Sequence, residues 1–468
     1  MSFKVLLFNG PIVETRTDKL EMESRILRLG IASIAAYLRD NQVEVSIVDP
    51  VTQAKKDIES ILCKLNPVLT GLHAYTSEIH DAAATAQWIK SVIPATKVII
   101  GGPHASAIPR ETLQEFSSFD IAVIGEGEQT MLEVSKNINR LAEIPGISYR
   151  SKSNIQLNSP RKLIENIDKL PYPDWQLFDL QKYKGSDLIG GFGKKTGSME
   201  LPVEGARGCP FSCIFCFRTM GRTVRFKSPQ RIVDEVQRNV EVFGANKIHF
   251  IEGTFAINKM IASEMCQELI RRNLHKKITW SSGGRVDVLD EKLLILMKQS
   301  GCDYLGIGVE SGDQKILDII GKKITIEQIK RAFDLCRKVG ITTEAEFILG
   351  HPFETEATIK KTISLARSLP AKYATFAILV PFPGTEIVEM ARNNVGGLKV
   401  LTKDWHVYGK QIGQSLELEQ LPHEKLLEYQ AMAYNKFYLR PSHITALISR
   451  LNKERVLYGI RNLFRELT

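Results

Sequence analysis

Several things are missing from this chain, and each absence excludes something. No apolar run approaches the roughly 18 residues that a membrane-spanning helix needs, so no membrane span is expected. The one short apolar run in Met1–Gly10 stops at the turn Asn9-Gly10-Pro11. That pattern reads as a buried first strand and not as a secretory signal. Cysteine is scarce, seven in 468 residues, and without a signal peptide a disulfide framework is not expected. The expected compartment is the reducing cytoplasm. No Gly-x-Gly-x-x-Gly follows the first strand, which argues against a dinucleotide site. A net charge of +9 permits an acidic partner without demanding one. The length and a hydrophobic content of 43% support two or three domains with real cores.

Against this background the cysteines are concentrated. Cys209, Cys213 and Cys216 lie in CPFSCIFC, spaced Cys-x3-Cys-x2-Cys, and the next cysteine is Cys266. Structural zinc needs four protein ligands, and no fourth Cys or His sits at a suitable offset. Three thiolates on one loop can hold three irons of a [4Fe–4S] cluster, which normally takes four cysteines. The fourth iron then stays open to a small molecule, as in catalytic metal sites.

Strand and helix alternate along residues 1–140. Apolar strands are expected at Lys4–Phe8, Val43–Val48, Val68–Leu72, Lys97–Ile100 and Ile121–Ile124, with helices near 27–39, 54–65, 80–93 and 128–139. This alternation argues a parallel sheet with helices on both faces. Ligands on such sheets bind beyond the carboxyl ends of the strands. Two glycine-containing loops sit there, Gly101-Gly102-Pro103-His104-Ala105-Ser106 and Gly125-Glu126-Gly127-Glu128. Taken alone they fit either ordinary turns or close approach of backbone to a flat ligand. Residues 141–200 show little regular pattern and, with Gly190-Gly191-Phe192-Gly193, read as a linker. From Leu201 about six strand–helix units follow, a partial barrel whose active residues should sit at the carboxyl ends of the strands.

The cysteine loop, with Phe215 before the last cysteine, and the motifs after it resemble the radical S-adenosylmethionine enzymes. Residues 1 to about 140 resemble the cobalamin-binding domain that one large subgroup carries in front. The resemblance covers roughly residues 1–392; the remainder matches only loosely. It implies an α/β fold: a Rossmann-like cobalamin-binding domain (1–142), a linker (143–198), a partial (β/α)6 barrel (199–392) and a mostly helical C-terminal domain (393–468). The implied cofactors are a [4Fe–4S] cluster, S-adenosylmethionine and cobalamin, held in its methyl form. Both glycine loops resemble those placed around cobalamin. Many cobalamin proteins present a histidine to cobalt from Asp-x-His-x-x-Gly. That motif is absent here, and His104 is the one loop histidine in a suitable place, with neighbours that do not match. The subgroup resembled generally leaves cobalt without a protein ligand below.

The resemblance also distributes roles over the barrel mouth. Glu252, just beyond a strand, would take the amino group of S-adenosylmethionine. Arg285 could pair bidentately with a carboxylate. Glu310, in Gly-Val-Glu-Ser-Gly, matches the position that contacts the sugar hydroxyls. Phe347 to Gly350 matches the strand whose backbone holds the adenine, and Pro381-Phe382-Pro383-Gly384-Thr385 would shape the pocket floor. Cys63, Cys266, Cys302 and Cys336 read as buried small hydrophobes. The tail 429–468 carries seven Lys/Arg against two acids together with six aromatics. A helix packed on the barrel is expected there rather than a nucleic-acid surface. The function implied is C-methylation of an unactivated carbon, with a protein or peptide side chain as a candidate substrate and a flavodoxin-, ferredoxin- or reductase-type electron donor. The rivals are ring chemistry of the porphyrin-cyclase kind and a cobalamin sensor without turnover.

Overall fold

The computed structural model describes residues 4–13, 27–152, 154–185, 197–251, 256–409, 411 and 413–440. The first sheet holds β1 (Lys4–Phe8), β2 (Glu44–Val48), β3 (Leu69–His73), β4 (Lys97–Gly101), β5 (Ile121–Val123), β6 (Ile147–Ser151) and β7 (Asn154–Leu157). Its order is β2-β1-β3-β4-β5-β6-β7. The first five strands run parallel and the last two antiparallel. The helices are α1 (Leu29–Asp40), α2 (Lys55–Leu65), α3 (Ile79–Val92), α4 (Pro103–Ala107), α5 (Pro109–Glu115) and α6 (Gly127–Lys136). The order in which the chain adds strands reverses between β1 and β3, where a doubly wound sheet opens a crevice for ligands. Two expectations are corrected. The stretch after 141 is not irregular throughout, because Ile147–Leu157 alternates and folds back as a hairpin on the sheet edge. The segment from Pro103 is not a loop: proline at N1 starts a short helix there.

The barrel strands are β8 (Glu200–Val203), β11 (Lys247–Phe250), β12 (Thr279–Gly284), β13 (Cys302–Glu310), β14 (Thr342–Leu349) and β15 (Tyr373–Ile378), while β9 (Ala206–Arg207) and β10 (Arg225–Phe226) form a separate antiparallel pair. All six barrel strands pair in parallel, in the order β15-β14-β13-β12-β11-β8. The intervening helices are α7 (Pro229–Phe243), α8 (Lys259–Arg271), α9 (Glu291–Gln299), α10 (Gln314–Ile319), α11 (Ile326–Val339) and α12 (Glu356–Ser368). Their ends follow capping chemistry: Ser228 and Pro229 start α7, Gly244 ends it in the left-handed conformation, and a Thr325–Gln328 capping box starts α11. After α13 (Glu386–Arg392) a small hairpin, β16 (Leu398–Val400) with β17 (Leu416–Leu418), precedes the expected helix, α14 (His423–Tyr438); residues 441–468 lie outside the described residues.

Of the four cysteines outside the loop, Cys266, Cys302 and Cys336 are buried as expected, with Cys302 opening β13. Cys63 is exposed, against expectation. Ile58 and Leu62 set the buried stripe of α2, and Cys63 lies a residue out of phase with them.

One core runs continuously from α1 and α6 of the first sheet into the barrel, through Trp175, Phe178, Leu180 and Tyr183 of the connecting segment. Polar groups fix the same junction. Arg207 on β9 and Arg225 on β10 are directly paired across the strands. Both guanidinium groups donate to Glu126 Oε1, at 2.9 and 2.7 Å, and Arg207 also reaches Glu128 at 2.6 Å and Glu204 at 2.8 Å. Arg207, Arg225, Glu126 and Glu128 are all buried. Burial alone would lower the Arg207 pKa, but Glu128 and then Glu204 outweigh it and raise it. Removing one partner of such a network strands the others in low dielectric, at about 3–5 kcal/mol. Arg207→Met should therefore cost about that much in denaturant unfolding. Adding Glu128→Gln and Glu204→Gln should recover most of it, and a loss below about 1 kcal/mol would show that the network is not holding the junction.

Candidate active site

The stretch between β9 and β10 is the cysteine loop. Its two stems are the arginine strands just described, so the loop is anchored to the first domain at its base. Gly208 permits the turn: its φ is +92°, and a Cβ there would lie 2.2 Å from the Thr223 carbonyl oxygen. The Cys209 N–H donates to Gly221 O, and Ile214 N–H to Ile320 O. Cys209, Cys213 and Cys216 line one cavity of about 550 Å³ with Arg285, Glu310 and Lys322. Burial raises the Cys213 pKa, and partial desolvation, then repulsion from Cys213 and Glu310, raises that of Cys216, although that residue keeps an exposed face. Ionising all three thiols here is costly, and a bound iron cluster would supply the compensating positive charge. That donor set fits an iron cluster, and the residues that would hold it are the three cysteines.

The floor of this cavity is bare backbone. Gly283 and Gly284 on β12 and Gly306 and Gly308 on β13 line it. A Cβ on Gly308 would lie 2.4 Å from Glu310 Oε1. Sequence reasoning passed over these glycines, although the repeats Ser281-Ser282-Gly283-Gly284 and Gly306-Ile307-Gly308 signalled them. Glu310 sits at a register shift with φ +68° and accepts from Lys322 Nζ at 2.7 Å. Arg285 lies over the Phe211 ring at 3.6 Å; its Nε and Nη2 donate to the Asp287 carboxylate at 3.0 and 3.1 Å. The edge expected for a ligand carboxylate is thus already occupied by Asp287. Glu252 lies outside the described residues.

A second cavity, about 230 Å³, is a slot between α1, β1, β3 and the glycine loops. Gly101, Gly102, Pro103, Gly125, Gly127 and Glu128 line it, as expected of the two loops. Its narrowness depends on missing side chains: a Cβ would come within 2.7 Å of Leu7 at Gly71 and 2.6 Å of Ile34 at Gly127. Such an apolar slot fits the inserted tail of a large flat cofactor. His104, Ala105 and Ser106 do not line it. Ser106 Oγ instead accepts from Gly125 N–H at 3.0 Å and ties the two loops together. The buried His104 ring stands edge-on to Trp405, and burial lowers its pKa to about 4. Glu126 is spent on the arginines and on Ile164 N–H.

The imidazole on the slot wall is His73, at the carboxyl end of β3, with Tyr75 beside it. Arg28 approaches His73 Nδ1 at 2.5 Å and pairs with Glu78 at 2.6 Å. Burial, then Arg28, lowers the His73 pKa to about 3. The ring is therefore neutral. A guanidinium only donates, so Nδ1 accepts and the ring proton sits on Nε2. Sequence reasoning missed His73; its place as the last residue of an apolar strand was the available signal.

A third cavity, about 640 Å³, joins the other two. Phe215, Cys216, Glu310 and Glu346 are shared with the cysteine cavity, Tyr75 and Pro103 with the slot, and Thr219 lines all three. Phe347, stacked on Phe376, lines the third cavity, whereas Gly350 lines none of the three and gives its N–H to Glu354 at 2.6 Å. Gly384 has φ +78°, and a Cβ there would meet the Phe217 ring at 2.6 Å. The Pro-Phe-Pro-Gly-Thr turn thus packs against Phe217 of the cysteine loop, and its Phe382 and Pro383 line the third cavity.

Two family models match the chain, the radical SAM superfamily over residues 203–366 and the B12 binding domain over residues 17–135. The chain is 32% identical to an uncharacterized methyltransferase of Pyrococcus horikoshii, over 93% of each chain. It is 29% identical to the anaerobic magnesium-protoporphyrin IX monomethyl ester cyclase of Rubrivivax gelatinosus, over 92% of this chain and 76% of that one. Among solved structures, its fold is similar to that of the radical S-adenosylmethionine methyltransferase TsrM of Kitasatospora setae, with cobalamin and a [4Fe–4S] cluster bound. The TM-score is 0.73 at 19% identity, covering 94% of this chain and 90% of that one. The cobalamin-dependent S-adenosylmethionine radical enzyme OxsB gives a TM-score of 0.72 at 21% identity, over 99% of this chain and 71% of that one.

Anaerobic reconstitution should load about four irons and four sulfides per chain. Changing Cys209, Cys213 and Cys216 together to Ala should remove both; iron analysis that still finds four in the triple variant would overturn the ligand assignment.

Proposed function

The chain belongs to the cobalamin-binding radical S-adenosylmethionine enzymes of the methyltransferase type, and from that premise we propose that it is a C-methyltransferase acting on an unactivated carbon. The observation that carries this reading is the meeting of three cavities at Thr219. A substrate carbon in the central chamber faces the cysteine loop on one side and the glycine slot on the other. When bound, the cluster with S-adenosylmethionine supplies a hydrogen-abstracting radical, and cobalamin supplies the methyl group.

The chain's own residues then have separable tasks. Cys209, Cys213 and Cys216 hold the iron and leave one position open. Glu252 and Glu310 bind the amino group and sugar hydroxyls of S-adenosylmethionine, over a glycine floor that lets the ligand lie against backbone. Phe347, Ile378, Leu379 and Phe382 give the central chamber an apolar wall that excludes water. Glu346 and Glu310 are the two carboxylates on the wall shared by the first and third cavities. A protein or peptide side chain is the substrate class proposed, and a flavodoxin- or ferredoxin-type protein the electron donor. No helix among the described residues is long and apolar enough to cross a membrane, and a cytoplasmic setting is proposed. Ring closure is the second reading, favoured by the similarity to the magnesium-protoporphyrin cyclase.

Incubation under reducing conditions should release 5′-deoxyadenosine together with S-adenosylhomocysteine, and give a product heavier than substrate by one methylene. A product lighter by hydrogen atoms would favour ring chemistry. Tight cobalamin binding with no 5′-deoxyadenosine would make the chain a sensor instead.

The His73 tautomer gives a separate expectation. With its proton on Nε2 the ring has no lone pair to offer toward the slot. Electron paramagnetic resonance of the cob(II)alamin form should then show cobalt lines without nitrogen triplets. Triplets that vanish in His73→Phe would prove the opposite tautomer, and triplets that survive it would reveal another nitrogen donor.

A further inference from the structure

Outside the three cavities, two imidazoles face each other across the seam between the first domain and the segment that follows the barrel. His80 lies on α3 and His406 on the single helical turn Trp405–Val407. Their rings stack at 4.5 Å between centroids, 20° from parallel. Asp404 stands between them: its Oδ1 is 3.0 Å from His406 Nδ1 and 3.7 Å from His80 Nε2. One donor atom from each of the three residues lies within 4.8 Å of the others. A tetrahedral zinc ion with bonds of about 2.0–2.1 Å sets its donors about 3.3 Å apart, close to the 3.0 and 3.7 Å found here, and binding would turn the stacked rings so that both lone pairs converge on the ion.

The electrostatics favour a cation. Two protonated imidazoles stacked at this distance would repel each other. Neutral imidazole is the ligating form. Carboxylates surround the pair: Asp404, Asp81 at 3.9 Å from His406 Nε2, and Glu115, which accepts from Trp405 Nε1 at 3.0 Å. Among the described residues neither Asp404 nor Glu115 forms an ion pair with a lysine or arginine. Metal-bound histidines usually donate their other ring N–H to a carboxylate, and Asp81, now 3.9 Å from His406 Nε2, would have to move closer to accept it.

We propose that His80, Asp404 and His406 bind one divalent transition-metal ion of the zinc class, with water completing the shell. Two imidazoles and one carboxylate suit zinc better than calcium or magnesium, which prefer oxygen alone. The ion would cross-link α3 to the turn at Trp405–Val407. Tyr408 and Gly409, next in the chain, line the central chamber, so the metal would fix one chamber wall against the first domain. This assignment is independent of the reaction proposed above.

The test uses the holoenzyme, loaded with cluster and cobalamin, dialysed against buffered micromolar zinc. Elemental analysis should find one zinc per chain. X-ray absorption at the zinc edge should show two imidazoles with oxygen ligands and no sulfur. His80→Asn with His406→Asn should weaken zinc binding more than about 100-fold, beyond the cost of losing an outer hydrogen-bond partner. The cobalamin absorbance of that variant reports that it is still folded. Zinc retained by the double variant, sulfur in its shell, or no zinc on the wild type would each overturn the site.

Discussion

The buried charge cluster centred on Arg207 is the constraint on which the rest depends. Arg207 and Arg225 face each other on the two stems of the cysteine loop. Like charges opposed across a strand pair are destabilising. Glu126, from the first domain, lies between them and accepts from both. The cysteine loop thus cannot take its shape without the domain that faces it. Glu128 and Glu204 also accept from Arg207, which leaves three carboxylates around two guanidinium groups; burial raises the Glu204 pKa, and the Ile164 N–H adds a fifth donor to the group. A buried ion cluster is weak evidence for net stability, but it specifies geometry, because any other docking leaves charge unpaired in a dry interior. The distance between the slot and the cysteine cavity is set here.

Given that docking, the cavities follow from what is absent on their walls. Gly283, Gly284, Gly306 and Gly308 remove side chains from the barrel floor, and Gly71 and Gly127 from the slot. The opposite strategy closes the site elsewhere. Phe217 is gripped by the Gly384 turn, and Phe211 carries the Arg285 guanidinium on its face. Backbone where a ligand must lie close, and packed rings where the loop must not move, are two uses of one sequence region.

Most strands and the cysteine loop were legible because they are local signals. Apolar runs of five residues bounded by turns announce buried parallel strands, and three thiols in eight residues announce iron. Residues whose meaning depends on distant partners were not legible. Glu126 and Glu128 sit in a glycine loop of the right kind, yet their partners are 79 to 99 residues away. His104 and His73 both lie near strand ends. Which one faces the slot depends on the rotation of α4, and that short helix was itself read as loop. The hairpin at Ile147–Leu157 was readable in its alternation, but its polar edge position weakened the apolar signal.

The open edge of the barrel shows the same dependence on partners far off in sequence. A sheet of six parallel strands ends at β15, whose outer edge would present unpaired backbone groups. No further strand covers it among the described residues. Side chains of α14 take its place. Phe376 N–H donates to the Tyr434 hydroxyl and Phe376 O accepts from Gln430 Nε2. Tyr438 does the same for Ala374, accepting from its N–H and donating to its carbonyl. The aromatics of the basic tail are therefore edge caps in this part of the chain, which is why a charged, aromatic segment need not signal nucleic acid. Capping by a helix rather than closure by more strands keeps the barrel partial. The mouth stays wide enough for a second domain to be seated over it, and the charged seam at Arg207 fixes where that domain sits.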